Sequence, residues 1–438
     1  MNAAEGGSVA PVAPLSGLKT VLKSSGIPPS WLDKRPKLPS RNWLIFLSVT
    51  SSVAGLYIYD RQQCKVIRRT YIEKVKDLAE EPVGALYRPR KVTVYGGKWP
   101  GDEDHDQSLR YFRKYVKPIL VAAAVDFTMI GGKRLGDIAN RVADDIKSQR
   151  RLEAGLDSRP EVFKQLPTYR SLEEERLSDL EGGIVIVGRP SFKEFMAGLK
   201  RGWTEPLTKV DTDELLAQEL EDDGRFDEAD DPTRVASKIV QPPSDPFSSA
   251  PRPPIPPLPP LLLVPFTNLI GFTKIPLMIW QFFNRRHDVR AGAEAGYTLV
   301  MKHTRPFAPP SDAPFSDITP GPPSDADFDT QCEAYFQKSL FKIPAENDKA
   351  RQKYYVELKT KLETARALAR GEREPTKDEV ANPPPTEVEL RAERLKKEKR
   401  WRGDLLGWQI VSPAARVAWD DRFRDALSVY VPPPESSG

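Results

Sequence analysis

Between Asn42 and Tyr59 the chain runs for eighteen residues without a charge, NWLIFLSVTSSVAGLYIY, with Arg41 before it and Asp60 and Arg61 after it. Coiled as a helix, this run is roughly 27 Å long, close to the ~30 Å hydrocarbon core of a bilayer. Trp43, Tyr57 and Tyr59 stand at its edges, where amphipathic rings anchor in the membrane interface. The run begins forty residues in and enters charged sequence with no small-residue cleavage site, so the expectation is a permanent span, not a removed signal. Ser48, Thr50, Ser51 and Ser52 keep it only moderately apolar, a composition that a buried core helix would share. Ser48 with Ser52, and Ser51 with Gly55, stand four apart, which makes them a candidate helix-packing face on which another membrane helix can approach closely. Orientation is not readable from charge: Lys23, Lys34, Arg35, Lys37 and Arg41 before the span face Arg61, Lys65, Arg68, Arg69, Lys74 and Lys76 after it, five against six.

Outside the span the sequence reads as water-soluble, with charged residues at 29%. A net charge of +4 in 438 residues gives no bulk nucleic-acid signal. Two cysteines, Cys64 and Cys332, are too few for a disulfide scaffold, and neither they nor His105, His287 and His303 show metal-ligand spacing. No metal and no cofactor is expected. Proline is concentrated in two tracts, eleven of twenty-five residues from Gln241 to Pro265 and seven of eighteen from Pro306 to Pro323, which read as extended linkers.

These punctuations divide the chain into an arm over residues 1–41, the span 42–59, a juxtamembrane helix 60–88, and a first α/β part 89–202. An acidic and Pro-rich insertion, 203–258, is expected to be disordered, because Asp211 to Asp231 carries eleven acidic residues against one arginine. A second α/β part follows over 259–305, then a Pro-rich linker 306–328 and a helical C-terminal region 329–438. Within the α/β parts, strands are expected at Lys91–Tyr95, near Phe127, at Gly183–Gly188 and in PLLLVPFT. Helices are expected in LRYFRKYVKPI, Asp137–Arg151, SFKEFMAGLKRGW and KIPLMIWQFFNRRH. Continuous apolar strands alternating with helices argue for a parallel sheet covered on both faces. Further helices are expected at Ala345–Arg373, at Thr386–Arg402, and in a last segment carrying Trp419, Phe423 and Leu427.

Catalytic signatures are absent: there is no Walker lysine motif, GxGxxG fingerprint or GxSxG elbow. The stretch IVIVGRPSFKEFMAGL, with Glu194 and the Gly198-Leu199 pair, resembles the strand, loop and helix of the lipid-kinase fold, in which a GGDGT loop follows the third strand. VPFTN, Val264 to Asn268, resembles that family's next strand. Here Val187, Gly188, Arg189, Pro190 and Ser191 stand in the loop's place. Arginine cannot take over the acidic role and proline has no N–H to donate, so phosphoryl transfer is expected to be lost. No catalytic residue is assigned. The acidic run and the basic KKEKRWR stretch are each expected to be solvated surface.

Longer blocks carry a second resemblance. Arg41 to Tyr59, PRKVTVYGGKWPGD, LRYFRKYVKPILVAAAVDF, GKRLGDIANRVADDIK, IVIVGRPSFKEFMAGLKRGW and PFTNLIGFTKIPLMIWQFFNRRH are similar to the fungal family of mitochondrial import inner membrane translocase subunit fifty-four, over roughly residues 15–202 and 259–432. The resemblance implies a non-catalytic scaffold subunit of the carrier translocase, which inserts multi-spanning carriers into the inner membrane. It implies a matrix-facing arm, one span and a domain in the intermembrane space. Its implied partners are other translocase subunits, small intermembrane-space chaperones and incoming carrier proteins. The implied fold is a single N-terminal transmembrane helix, a lipid-kinase-like three-layer α/β domain with a disordered insertion, and a helical C-terminal region. A membrane-tethered lipid kinase-like enzyme and an assembly factor for another inner-membrane complex are the alternative readings.

Overall fold

The computed structural model describes residues 40–80, 90–159, 162, 169, 171–226, 254–310 and 324–434. Residues 1–39 of the arm, 241–253 of the first Pro-rich tract and 311–323 of the second lie outside them. The chain divides into two units, Met1–Tyr59 and Asp60–Gly438. In the first, residues 40–59 are exposed throughout and, apart from Ser40, belong to helix α1 (Arg41–Ala79), whose apolar window meets the length and composition of a membrane span. The expected juxtamembrane helix is not a separate element: α1 continues through Asp60 without a break, and its later turns bury Ile67 and Val75 in the second unit.

The second unit is built on a six-stranded sheet. Its strands are β1 (Lys91–Gly96), β2 (Asp126–Gly131), β3 (Ile184–Val187), β4 (Leu261–Val264), β5 (Thr304–Pro306) and β6 (Ser428–Tyr430), in the order β2-β1-β3-β4-β6-β5. All neighbours pair in parallel except β5, which runs antiparallel to β6 at the edge. Side chains alternate across each strand, so one face receives Val92, Val94, Val185, Val187, Leu262 and Val264, and the other Tyr95, Ile186, Leu261 and Val429. The first face is covered by a helical run of α2 (Gln107–Tyr111), a π turn (Phe112–Val116) and α3 (Lys117–Ala122), through Phe112, Val116 and Ile119. The π turn precedes Pro118, which has no N–H to continue the ordinary ladder. The other face is covered by α4 (Asp137–Glu153) and, after α5 (Leu172–Gly182), by α6 (Arg189–Thr204), through Ile138, Val142, Phe192, Phe195 and Met196. Helices α4 and α6 approach so closely that a Cβ on Gly198 would stand 2.6 Å from the Ala139 carbonyl oxygen.

Three expectations are corrected in the remaining chain. The insertion 203–258 is narrower than expected at its start: helix α7 (Thr212–Asp222), capped by the Asp211 carboxylate on the Asp213 and Glu214 amides, lies within it, and residues 227–253 lie outside the described residues. After α8 (Ile275–Phe283) and α9 (Arg286–Met301), the helix expected at Ala345–Arg373 begins earlier, as α10 (Glu333–Ala369), because Phe336 and Leu340 bury their side chains in the core below Trp99. Two more helices, α11 (Lys377–Ala381) and α12 (Glu387–Val411), follow. The last expected helix does not form. Trp419 and Phe423 flank or enter a short 3-10 turn, Asp421–Phe423, and Leu427 leads into β6. The spacing of four served a turn laid on the sheet, and the β-branched and aromatic pair Val429-Tyr430 completes it as a strand.

Candidate functional site

Helix geometry puts Ser48, Ser51, Ser52 and Gly55 on one side of α1, within an arc of roughly 100° at 3.6 residues per turn. Two of the three serine hydroxyls are satisfied inside the helix: Ser48 Oγ donates to the Ile45 carbonyl at 2.9 Å and Ser52 Oγ to the Ser48 carbonyl at 2.8 Å. Thr50 Oγ1 does the same with the Phe46 carbonyl at 2.8 Å. Such back-bonded hydroxyls are compatible with hydrocarbon, and a Cβ added to Gly55 would meet nothing within 4 Å. The stripe is therefore open to a neighbouring helix.

A crevice lies at the ends of β1 and β3, where the strand order reverses. Ligands of open α/β sheets bind at such switch points, on backbone N–H groups. Here the chain fills the crevice itself. Gly97 donates its N–H to Ser191 Oγ at 2.7 Å, Ser191 Oγ donates to the Val187 carbonyl at 2.6 Å, and Ser108 Oγ donates to the Gly97 carbonyl at 2.9 Å. Gly188 turns the chain out of β3 at φ 81°, a left-handed value that a side chain disfavours, and α6 opens at once with Arg189 and Pro190.

The residues of the altered loop have structural partners. Arg189 is buried, with Nε 2.8 Å from Glu333 Oε1 and Nη1 donating to the carbonyls of Ala326 and Phe328 at 2.5 and 2.9 Å. Lys193, also buried, reaches the same Glu333 oxygen at 2.7 Å and donates to the Ser412 carbonyl at 2.9 Å. Burial lowers the Lys193 ammonium pKa, and Glu333 opposes that shift. Glu194, on α6, is fully buried against the start of α4 and accepts from the Ile138 N–H at 3.1 Å. Desolvation pushes its carboxyl up to about 8, against the pull of the amides of Gly136, Ile138 and Ala139. A phosphate seat needs free donors and positive potential, whereas this corner spends its cations on one internal carboxylate. Glu333 lies too far along the chain to be paired with the loop by any motif.

Charge joins two other segments that the sequence left apart. The basic face of α12 meets acidic α7: Lys399 bonds Asp213 at 2.5 Å, Arg402 grips Glu219 at 2.7 and 2.8 Å, and buried Arg394 pairs with Asp223 just after the helix. Lys399 and Arg402 of the KKEKRWR stretch thus pair with the acidic run while both faces stay largely exposed, as expected of solvated surface. Beside them, a groove of about 500 Å³ between α10 and α12 is lined by Glu346, Lys353, Tyr354, Lys397 and Arg400; the Tyr354 hydroxyl is buried without a hydrogen-bond partner. Among the described residues no group of His, Cys, Asp and Glu is arranged to hold a metal. Cys64 and Cys332 are both free thiols.

Residues 19–241 match the family model described as the inner membrane protein import complex subunit Tim54. The chain belongs to this family. It is 36% identical over 456 residues to the mitochondrial import inner membrane translocase subunit TIM54 of Cryptococcus neoformans, an alignment covering 97% of this chain and 96% of the relative. The Candida albicans member is 30% identical, over 65% of this chain and 84% of its own length. That of Aspergillus oryzae is also 30% identical, over 65% of this chain and 70% of its own. The family membership agrees with the reading of α1 as a single span and of the chain as a mitochondrial inner-membrane protein, and it bears out the resemblance read from the sequence blocks.

Proposed function

We propose that this chain is a non-catalytic scaffold subunit of the carrier translocase of the mitochondrial inner membrane, and that it supports insertion of multi-spanning carriers. The observation that carries the reading is the filled crevice: in a sheet whose strand order would place a ligand between β1 and β3, Ser191, Ser108 and the Arg189-Lys193-Glu333 cluster take up the donors that a phosphate would need. A family of translocase subunits supplies the biological setting. In this reading the arm faces the matrix, α1 crosses the membrane with Ser48, Ser51, Ser52 and Gly55 against other translocase subunits, and the second unit receives chaperones and carriers in the intermembrane space.

Deletion of the protein, followed by blue-native electrophoresis and a carrier-insertion assay, tests this. A shift of the translocase to lower mass with reduced carrier insertion is expected. Restoring the wild type should recover both, while a Ser48→Leu, Ser52→Leu chain, whose packing face is blocked, should insert in the membrane but fail to restore the complex. An intact complex with normal carrier insertion in the deletion would refute the scaffold.

A further inference from the structure

Helix α8 has the sequence IPLMIWQFF, one polar residue in nine, and every residue from Ile275 to Trp280 is exposed. Phe272, just before it, is 90% exposed, and Trp280 and Ile279 are 57% and 54% exposed. A helix apolar on all sides needs apolar surroundings on all sides, and a contiguous exposed patch of this kind marks a contact with membrane or protein. Nine residues make a helix roughly 14 Å long, half of what a bilayer core requires, so α8 is too short to cross.

Two observations name the occupant. The first is attachment: Asp60 Oδ1 accepts from the Arg286 N–H at 3.1 Å, and the Arg61 guanidinium lies 5.4 Å over the Phe282 ring. Asp60 follows Tyr59, the last residue of the uncharged run, so the C-terminal end of α8 is tied to the residue at which the span's sequence gives way to charge. The second is charge. Lys274 precedes α8, and Arg285 and Arg286 follow it. Lys114 and Arg285 both line a cavity of about 600 Å³, and Lys114 is held below the usual ammonium range by burial first and then by Arg285 and Arg61, against the pull of Asp288. Met278 and Phe282 line that cavity together with Lys114, Arg285 and the carboxylate of Asp288, apolar surface beside two cations and one anion.

We propose that α8 lies in the headgroup layer of an anionic bilayer as a membrane contact additional to the span, with its apolar residues in the acyl boundary and its flanking cations on lipid phosphates. Interfacial helices bury their apolar residues by roughly 5–10 Å, and basic neighbours add attraction to anionic lipid. The contact holds the second unit against the membrane surface in one orientation.

This inference rests on α1 being a span, and the test separates the two. Full-length Cys64→Ser protein carrying Ile279→Cys, Val53→Cys or Leu177→Cys is labelled with an environment-sensitive fluorophore and reconstituted in vesicles of phosphatidylcholine with phosphatidylglycerol; buried Cys332 stays unlabelled. Brominated or doxyl lipid reports contact with lipid, and iodide reports contact with water. The label at 279 should be quenched by lipid carrying its quencher near the headgroup and shielded from iodide. The label at 177, on exposed α5, should respond to iodide alone, and that at 53 to lipid alone. Lipid quenching at 279, and not at 53, should weaken in phosphatidylcholine alone or on Arg285→Glu, Arg286→Glu substitution. Iodide quenching at 279 equal to that at 177, with 53 still in lipid, overturns the inference and leaves the span standing; loss of lipid quenching at 53 as well overturns both. Shielding at 279 that requires the assembled translocase would assign α8 to a protein partner and also overturn it.

Discussion

Glu333 holds two buried cations at once, Arg189 at 2.8 Å and Lys193 at 2.7 Å, from 144 residues beyond the arginine. Removing the shared carboxylate leaves both charges in a poorly solvated corner, which costs about 3–5 kcal/mol when a buried pair loses one partner. Glu333→Ala should lower the stability of the full chain in detergent by that order in urea unfolding, and a change within error of zero would show the cluster to be solvated. Glu194 makes the opposite kind of prediction. Its folded pKa is raised to about 8 from 4.5. Between those values the folded chain binds a proton that the unfolded chain has released, so stability is complete below the lower value and falls as pH rises through the upper one. Glu194→Gln stays neutral and keeps an acceptor for the Ile138 N–H. It should therefore gain on the wild type from pH 5 to pH 8, by at most about 1.4 kcal/mol per pH unit. Parallel unfolding curves across that range would contradict the buried neutral carboxyl. The sequence singled out Arg189 as a residue of a degenerate loop and Glu194 as one of the helix that follows it. It held no sign of Glu333, because pairing across that separation exists only after the sheet and α10 have met.

At the scale of elements, α7 depends on charges outside itself. It buries one residue, Leu216, and its sequence is dominated by carboxylates that repel one another. Lys399, Arg402 and Arg394 of α12 supply the opposing charge. Exposed ion pairs are worth about 0–1 kcal/mol each and weaken with salt, so α7 should be held by several small terms that fail together. Lys399→Glu with Arg402→Glu should abolish amide-exchange protection in α7 and leave the sheet protected, and high salt should move the wild type the same way. Unchanged exchange in α7 would mean that Leu216 and the turn around Phe226 suffice. Both charge blocks were plain in the sequence; their complementarity was not, since nearly two hundred residues separate them. The C-terminal segment shows the same limit. Trp419, Phe423 and Leu427 have helical spacing, yet the free edge of β4 takes Val429 as a parallel partner, and an available sheet edge outweighs a weak helical period.

For the molecule as a whole, the span's direction decides the function, and flanking charge is balanced. In mitochondria with ruptured outer membranes, added protease should digest the chain after Tyr59 and spare the arm before Arg41; the reverse pattern would place the second unit in the matrix and reject the scaffold as proposed. The amino-acid sequence by itself determined the features that depend on local composition: an uncharged run as long as a bilayer is thick, strands and helices whose apolar periods are short-range, Pro-rich breaks, and blocks long enough to identify the family. Tertiary structure alone decided what comes from distant contacts. It showed that the switch-point crevice is closed by Ser191, Ser108 and Gly97, that the loop's cations serve Glu333, that acidic α7 is paired, and that apolar α8 remains uncovered. The physical reason is common to all four. Hydropathy is a property of neighbouring residues, whereas desolvation and charge pairing depend on which side chains the fold brings within a few ångströms of one another.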